Sequence, residues 1–350
     1  MKLEEIVKPL LDWYQKNKRI LPWRSDPTAY HVWISEIMLQ QTRVEAVKTY
    51  YQRFLTEIPD LHTLATISED RLLKLWEGLG YYNRARNLQK AAIILEKEYQ
   101  GIFPRQYEEL LKLPGIGEYT AGAIASISFQ EKVPAVDGNV FRVILRVLGS
   151  SKNISKPATK KWLQQQLQEI LPEEVGDFNQ ALMELGALVC LPNGMPLCDN
   201  CPLASFCQAR QDKTIAQIPV KDVKRQRKVV PKTIFVLVHY DQVAIEKRPA
   251  TGLLSNLWQL PNKEGYLSRT EVEAYLKKMG LSPLRILPLA SSKHIFTHLE
   301  WQMKGFLVFV PENNTHYTWV NYQDLKKDYA LPTAFKKYEE ELKEAIKGSK

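Results

Sequence analysis

The feature that most restricts what this chain can fold into is a change of hydrophobic period near residue 230. Before it, HVWISEIMLQQTRVEAVKTYYQRFL, DRLLKLWEGL, ARNLQKAAIILEKEY, QYEELLKL, YTAGAIASISF and NVFRVILRVLG all place apolar residues at helical spacing. Asp60, Ser68 and Asp137 sit where helices would begin, and Gly80, Gly101 and Gly149 where they would stop. After it, TIFVLVHY, QVAIEKR, FLVFVP and YTWV are rich in β-branched and aromatic residues with partial alternation. RTEVEAYLKKMG and AFKKYEEELKEAIK then return to the helical period. One core cannot serve both patterns. The expected architecture is multidomain: an all-α region to about residue 212, a basic, proline-containing linker over 213–229, and an α/β domain over 230–350. At 350 residues the chain is long enough for two or three domains.

The formal charge is +9. Such an excess favours a polyanion or an anionic surface, and suits a merely soluble basic protein equally well. No stretch approaches the roughly 20 apolar residues that span a bilayer, and the start, MKLEEIVKPLLDWYQKNKRILPW, mixes charges throughout. A cytoplasmic monomer with no membrane partner is expected, nucleoid-associated if bacterial. All four cysteines fall between Cys190 and Cys207, as C-x7-C-x2-C-x5-C. A secreted disulfide framework would spread them along the chain. Four thiolates in so short a span suit a metal centre instead, either a cubane iron–sulfur cluster or a tetrahedral zinc.

In LKLPGIGEYTAGAI (111–124) an amphipathic helix is expected to end at Leu113, Pro114-Gly115-Ile116-Gly117 to turn tightly, and a helix to follow at once. Gly115 and Gly117 are expected to adopt conformations closed to other residues and to leave the amides unobstructed. Free turn N–H groups and the positive end of the next helix make a phosphate site. A helix-hairpin-helix motif grips one DNA strand in this way without reading its sequence. An ordinary helical corner with a glycine cap is the plain alternative. The turn carbonyls also offer a place for a monovalent cation.

Two carboxylates stand out. Asp137 follows VPAV and precedes Gly138-Asn139 and a helix, where a simple N-cap is the bland reading. Glu36 lies mid-helix among Trp33, Ile34, Ile37 and Met38. Burial there would raise its pKa toward that of a general acid, unless it lies on a solvated face. Acid-assisted cleavage of a glycosidic bond needs such a donor, and a negative charge near the developing oxocarbenium ion.

Together, LPWR, VWISEIMLQQTRV, GLGYYNRARNL, LPGIGEYTAGAI, VDGNVFRV and the four-cysteine segment resemble the helix-hairpin-helix DNA glycosylases, over nearly the whole chain. Within that superfamily they resemble the MutY-type adenine DNA glycosylases. The resemblance implies two helical modules, 1–21 plus 131–212 with a cluster loop at 190–207, and 22–130 with the hairpin. It implies that Glu36 protonates adenine, that Asp137 stabilises the oxocarbenium ion or bonds to it transiently, that Asn139 orients Asp137, and that Tyr119 assists. Trp23, Arg24, Leu39 and Gln180 would surround the flipped adenine, with Gln41 and Thr42 near the opposing base. Tyr81 would wedge into the base stack, a core tyrosine being the alternative. Cys190, Cys198, Cys201 and Cys207 would hold a [4Fe–4S] cluster, with one residue more in the first gap than the family's usual spacing. Endonuclease III relatives carry a lysine nucleophile where this chain has Tyr119. Hydrolysis to an abasic site is therefore expected in place of Schiff-base strand cleavage.

Residues 230–350 resemble the family's Nudix-like domain. GLLSNLWQLPNKEG (252–265) lacks the acidic run that would hold magnesium, so recognition is expected of this domain rather than catalysis. HIFTHLEW (294–301) matches the segment that reads 8-oxoguanine, with Phe296-Thr297-His298 where the family commonly has Phe-Ser-His. A β-strand with a half-exposed histidine is the alternative there. The implied partner is double-stranded DNA with adenine opposite 8-oxoguanine or guanine. A pyrimidine-lesion glycosylase/lyase on the same scaffold and a non-catalytic iron–sulfur DNA-binding protein are the competing readings.

Overall fold

The computed structural model describes residues 2–222 and 226–348. The linker expected over 213–229 thus includes residues 223–225, which lie outside the described residues. The chain forms two compact units, Met1–Thr66 with Asn87–Val223, and Ile67–Arg86 with Lys224–Lys350.

The first unit is built of helices, and two of them have no polar face to give to water. Helix Ala29–Leu39 starts at Thr28, whose side chain accepts from His31 N at 3.2 Å, and Val32 to Met38 are all buried. Helix Gly138–Val147 starts at Asp137, and Val140 to Val147 are buried, Arg142 and Arg146 included. Each guanidinium is matched by fixed carbonyls, as buried cations require. Arg142 donates to Gly186 O at 2.8 Å and Cys190 O at 2.7 Å, and Arg146 to Ile218 O at 2.9 Å and Leu191 O at 3.0 Å. Helix Glu118–Phe129 packs against Ala29–Leu39, and Val175–Leu188 against Gly138–Val147. At Gly186 a Cβ would come within 2.5 Å of Asn139 Cβ, so only glycine lets these two backbones close. Ahead of the hairpin the helix spans Tyr107–Leu110, three residues shorter than expected. Leu113 N donates back to Leu110 O at 3.2 Å, a tightened turn that carries the chain into Pro114.

The second unit holds a mixed sheet of β1 Lys228–His239, β2 Gln242–Lys247, β3 Trp258–Gln259, β4 Asn262–Glu264, β5 Arg285–Ile295, β6 Leu299–Phe309 and β7 Thr318–Asn321. The order is β3-β2-β1-β6-β5, with β1 parallel to β6, β4 paired to β1 and β7 to β2. β1 reads as continuous apolar sequence because both its faces are covered. Phe235 and Leu237 meet Val272 and Leu276 of helix Arg269–Lys278, while Ile234 and Val236 meet Tyr338 and Leu342 of helix Lys336–Gly348. This is the α/β arrangement expected from the sequence. β5 was not expected. Its RILPLASSKHI carries a proline and two serines, is mostly exposed and breaks register between Leu289 and Ser292, all tolerable on an edge strand. Among the described residues, no helix is long and apolar enough to cross a membrane.

Candidate active site

A cavity of about 590 Å³ in the first unit is lined by Trp23, Arg24, Glu36, Leu39, Gln41, Thr42, Tyr119, Asp137, Asn139 and Gln180. Ten residues singled out from separate stretches of sequence thus face one space. Glu36 is 7% exposed, which removes the solvated-face alternative. Tyr119 Oη donates to Glu36 Oε2 and also reaches Met183 Sδ at 3.5 Å. Burial pushes the Glu36 carboxyl up from 4.5 to about 7. The Tyr119 bond and the Arg24 charge work against burial, and the nearby Asp137 charge works with it.

Asp137 is both a helix cap and part of the cavity wall. Its Oδ1 accepts from Asn139 N and Val140 N, each at 2.8 Å, and its Oδ2 accepts from Asn139 Nδ2 at 2.7 Å. Burial raises its pKa, and these three bonds oppose that rise by favouring the carboxylate. Arg142 Nη2 donates to Asn139 Oδ1 at 2.8 Å, which fixes which way the Asn139 amide faces.

Sequence reasoning missed two residues in the opposite wall. Glu184, 1% exposed, accepts Arg19 Nε at 2.8 Å, Arg19 Nη2 at 2.9 Å and Arg24 Nη2 at 2.9 Å. Burial alone would raise its pKa, but these bonds outweigh it and hold the carboxyl at about 2. Arg24 also donates to Gln180 Oε1 at 3.1 Å and Arg19 O at 3.0 Å. The signal was available, since Glu184 follows Gln180 by four and shares its helical face.

The remaining candidates lie outside this cavity. At the hairpin, Gly115 has φ 79 and a Cβ there would come within 2.6 Å of Asn87 Cβ. Gly117 differs from expectation: its φ of −93 and ψ of 177 are open to any residue. What its missing side chain provides is space, because a Cβ would meet nothing within 4 Å in front of helix Glu118–Phe129. Glu118 at that helix start puts a carboxylate beside the open amides, and Lys160 Nζ engages it at 2.5 Å. Cys190, Cys198, Cys201 and Cys207 line a second, apolar cavity, walled by Val143, Leu185, Val189 and Leu203, and none forms a disulfide. Leu197 N donates to Val189 O at 2.9 Å, so the loop with the extra residue closes on itself and turns Met195 to solvent. Among the described residues, no group of three or more His, Cys, Asp or Glu side chains could hold a single metal ion.

In the second unit, Phe296-Thr297-His298 form the turn of the β5–β6 hairpin rather than a strand. Phe296 N donates to Leu299 O at 2.8 Å and its ring packs 4.9 Å from Trp301, leaving Thr297 and His298 exposed. Tyr81 belongs to the same unit, with its hydroxyl 3.4 Å from Thr297 Oγ1. It is 54% exposed and Tyr82 is 5% exposed, so the core tyrosine of the pair is Tyr82.

Residues 34–173 match the HhH-GPD superfamily base excision DNA repair proteins, and residues 233–341 match the NUDIX domain. An adenine DNA glycosylase of Buchnera aphidicola is 36% identical over 89% of this chain and 90% of its own. That of Mus musculus is 34% identical over 97% of this chain and 79% of its own. The solved structure of a thermostable thymine-DNA glycosylase superposes with TM-score 0.55 and 28% identity over 60% of this chain and 97% of that one. Identity of this order sustained through both units is more than a shared helical scaffold produces, and the chain belongs to the MutY-type adenine DNA glycosylases of the base excision repair superfamily.

Proposed function

We propose that the chain hydrolyses the N-glycosidic bond of adenine paired in duplex DNA with 8-oxoguanine or, more weakly, guanine. The observation that carries this reading is Glu36: a buried carboxyl held near 7, hydrogen-bonded to Tyr119, in the same cavity as Asp137. A carboxyl near 7 is poised to be protonated and still able to give its proton up, the optimum for a general acid at neutral pH. Glu36 protonates the adenine ring as its bond to the sugar lengthens. Asp137 supplies the opposite charge, or a transient bond, to the oxocarbenium ion, and Asn139 keeps it aimed. Arg24, Gln180, Trp23 and Leu39 enclose the base, and water takes its place on the sugar.

No lysine lines the cavity among the described residues, and Tyr119 stands where a Schiff-base lysine would be needed. Both features support a monofunctional hydrolase over a lyase. DNA is held through phosphate at the amides of Gly115 and Gly117, the Ile116 amide being bonded to Leu113 O at 3.2 Å, and the turn carbonyls also suit a monovalent cation. In the second unit Thr297 reads the oxidised guanine, Phe296 and His298 shape the hairpin that carries it, and Tyr81 fills the gap left by the flipped base; in the first unit Gln41 and Thr42 contact the DNA.

The cysteine donor set fits a [4Fe–4S] cluster better than zinc. Four free thiols ring an apolar cavity, and Arg146 Nη1 lies 3.3 Å from Cys190 Sγ, where it would offset thiolate charge. A bound cluster supplies a structural tie across the loop 190–207.

The test is to incubate the protein with duplexes holding adenine opposite 8-oxoguanine and to score strands with and without alkali. Alkali-labile sites are expected, and their absence rejects the proposal. Breaks without alkali favour the lyase reading. Glu36→Gln and Asp137→Asn should each abolish turnover while leaving duplex binding, and lost binding means they are structural.

A further inference from the structure

The loop that carries Tyr81 has an unusual backbone. Gly78, Gly80 and Tyr81 are all left-handed, with φ of 98, 68 and 48. Glycine adopts this readily and tyrosine does not, so the conformation persists only where its surroundings hold it. Two side chains bond the carbonyls of this loop. Trp76 Nε1 donates to Gly80 O at 3.1 Å, and Arg84 Nη2 donates to Leu79 O at 2.9 Å and Gly80 O at 3.0 Å. The Arg84 guanidinium lies 5.3 Å from the Trp76 ring centre and 5.7 Å from that of Tyr81. Burial lowers its pKa to about 10, which leaves it charged at neutral pH. A planar cation with several donors can bond two successive carbonyls and sit against two rings at once, which a lysine cannot.

We propose that Arg84 is the positioning residue for Tyr81, a clamp inside the loop that fixes the direction of the exposed phenol and makes no contact with DNA phosphate. This rests on the reading of Tyr81 as the wedge. In a basic DNA-binding chain an arginine in YYNRAR is the natural candidate for a phosphate contact, but the structure turns Arg84 Nη2 inward onto the loop carbonyls. With the loop fixed, the phenol stands free of the core and its hydroxyl reaches the Thr297 tip of the β5–β6 hairpin.

The experiment compares wild type, Arg84→Met, Arg84→Lys, Tyr81→Ala and the Arg84→Met/Tyr81→Ala double variant in full-length protein. Single-turnover excision of adenine opposite 8-oxoguanine and the salt dependence of duplex binding are both measured. Loss of the charge-assisted bonds should slow excision by about tenfold or more in Arg84→Met. Arg84→Lys should be nearly as slow. In the Tyr81→Ala background the Arg84 change should add less than about twofold, because its partner is already gone. The slope of log K on log salt should stay at the wild-type value.

A slope shallower by about one in Arg84→Met, with Arg84→Lys restored to wild type, means a phosphate contact and overturns the proposal. Multiplying effects in the double variant overturn it too. Tyr81→Ala excising at the wild-type rate rejects the wedge reading and the clamp with it. A slow Tyr81→Ala beside a wild-type Arg84→Met rejects the clamp alone. If Arg84→Met does not fold, Arg84→Gln, which keeps a neutral N–H donor, enters the same comparison.

Discussion

Replacing Glu36 by glutamine should stabilise this protein, and only above a pH set by the cavity. The Glu36 carboxyl is buried, and burial raises its pKa from 4.5 to about 7. Between those values the folded state holds a proton that the unfolded chain has released. Folding stability therefore falls as pH rises from about 4.5, and the full cost is present above about 7. The gap of about 2.5 (7 less 4.5), at about 1.4 kcal/mol for each pH unit, gives a cost on the order of 3 kcal/mol. Glutamine fills the same volume, accepts the Tyr119 hydroxyl proton and has no charge to desolvate. Urea denaturation of both proteins at pH 5 and pH 8.5 measures the difference. Glu36→Gln should be nearly level with wild type at pH 5 and more stable at pH 8.5 by about 2–3 kcal/mol. A difference that is equal at the two pH values, or that shrinks toward pH 8.5, refutes the buried-acid account. Because the readout is stability, it holds whatever the variant does to catalysis.

Tyr119→Phe removes a bond that lowers the Glu36 pKa, so the alkaline limb of the single-turnover pH–rate profile should move up by about one pH unit or more; an unmoved limb means the hydroxyl is not bonded to the acid. Tyr119→Lys should yield alkali-independent breaks and a borohydride-trapped protein–DNA adduct, and failure to trap would show that position 119 does not reach the sugar. Glu184→Gln should cost about 3–5 kcal/mol at pH 7 by leaving Arg19 and Arg24 without their buried partner. With the carboxyl held at about 2, that contribution is complete above the unfolded value and lost as pH falls through 2, so the deficit must shrink in acid denaturation. Cys201→Ser should bleach the visible absorbance of a cluster and lower the melting temperature, whereas a colourless wild-type protein argues for zinc.

Much of the site could be read from sequence because its residues sit in stretches whose local pattern is unusual. Glu36 interrupts a run with no polar face, and Asp137 caps a helix that is buried along nearly its whole length. Glu184 escaped notice because its meaning is relational. Only the fold brings Arg19 and Arg24, more than 150 positions away, onto one carboxylate. Gly117 misled because glycine signals either a strained backbone or an open approach, and the residue type alone does not say which. β5 was invisible for a different reason: an exposed edge strand has no buried face to impose alternation.

The two carboxylates of the cavity are both buried, but their hydrogen-bond partners differ. Burial raises the pKa of both. Asp137 has three N–H donors, two of them at the positive end of helix Gly138–Val147, and all three favour the ionised form. Glu36 sits inside a helix, where backbone amides are already used, and its hydrogen bond from the Tyr119 hydroxyl opposes the desolvation without overcoming it. Asp137 is itself among the charges that push Glu36 upward, so keeping the aspartate ionised helps keep the glutamate protonated. The helix cap that made Asp137 look ordinary is therefore part of how the proposed acid at Glu36 is made.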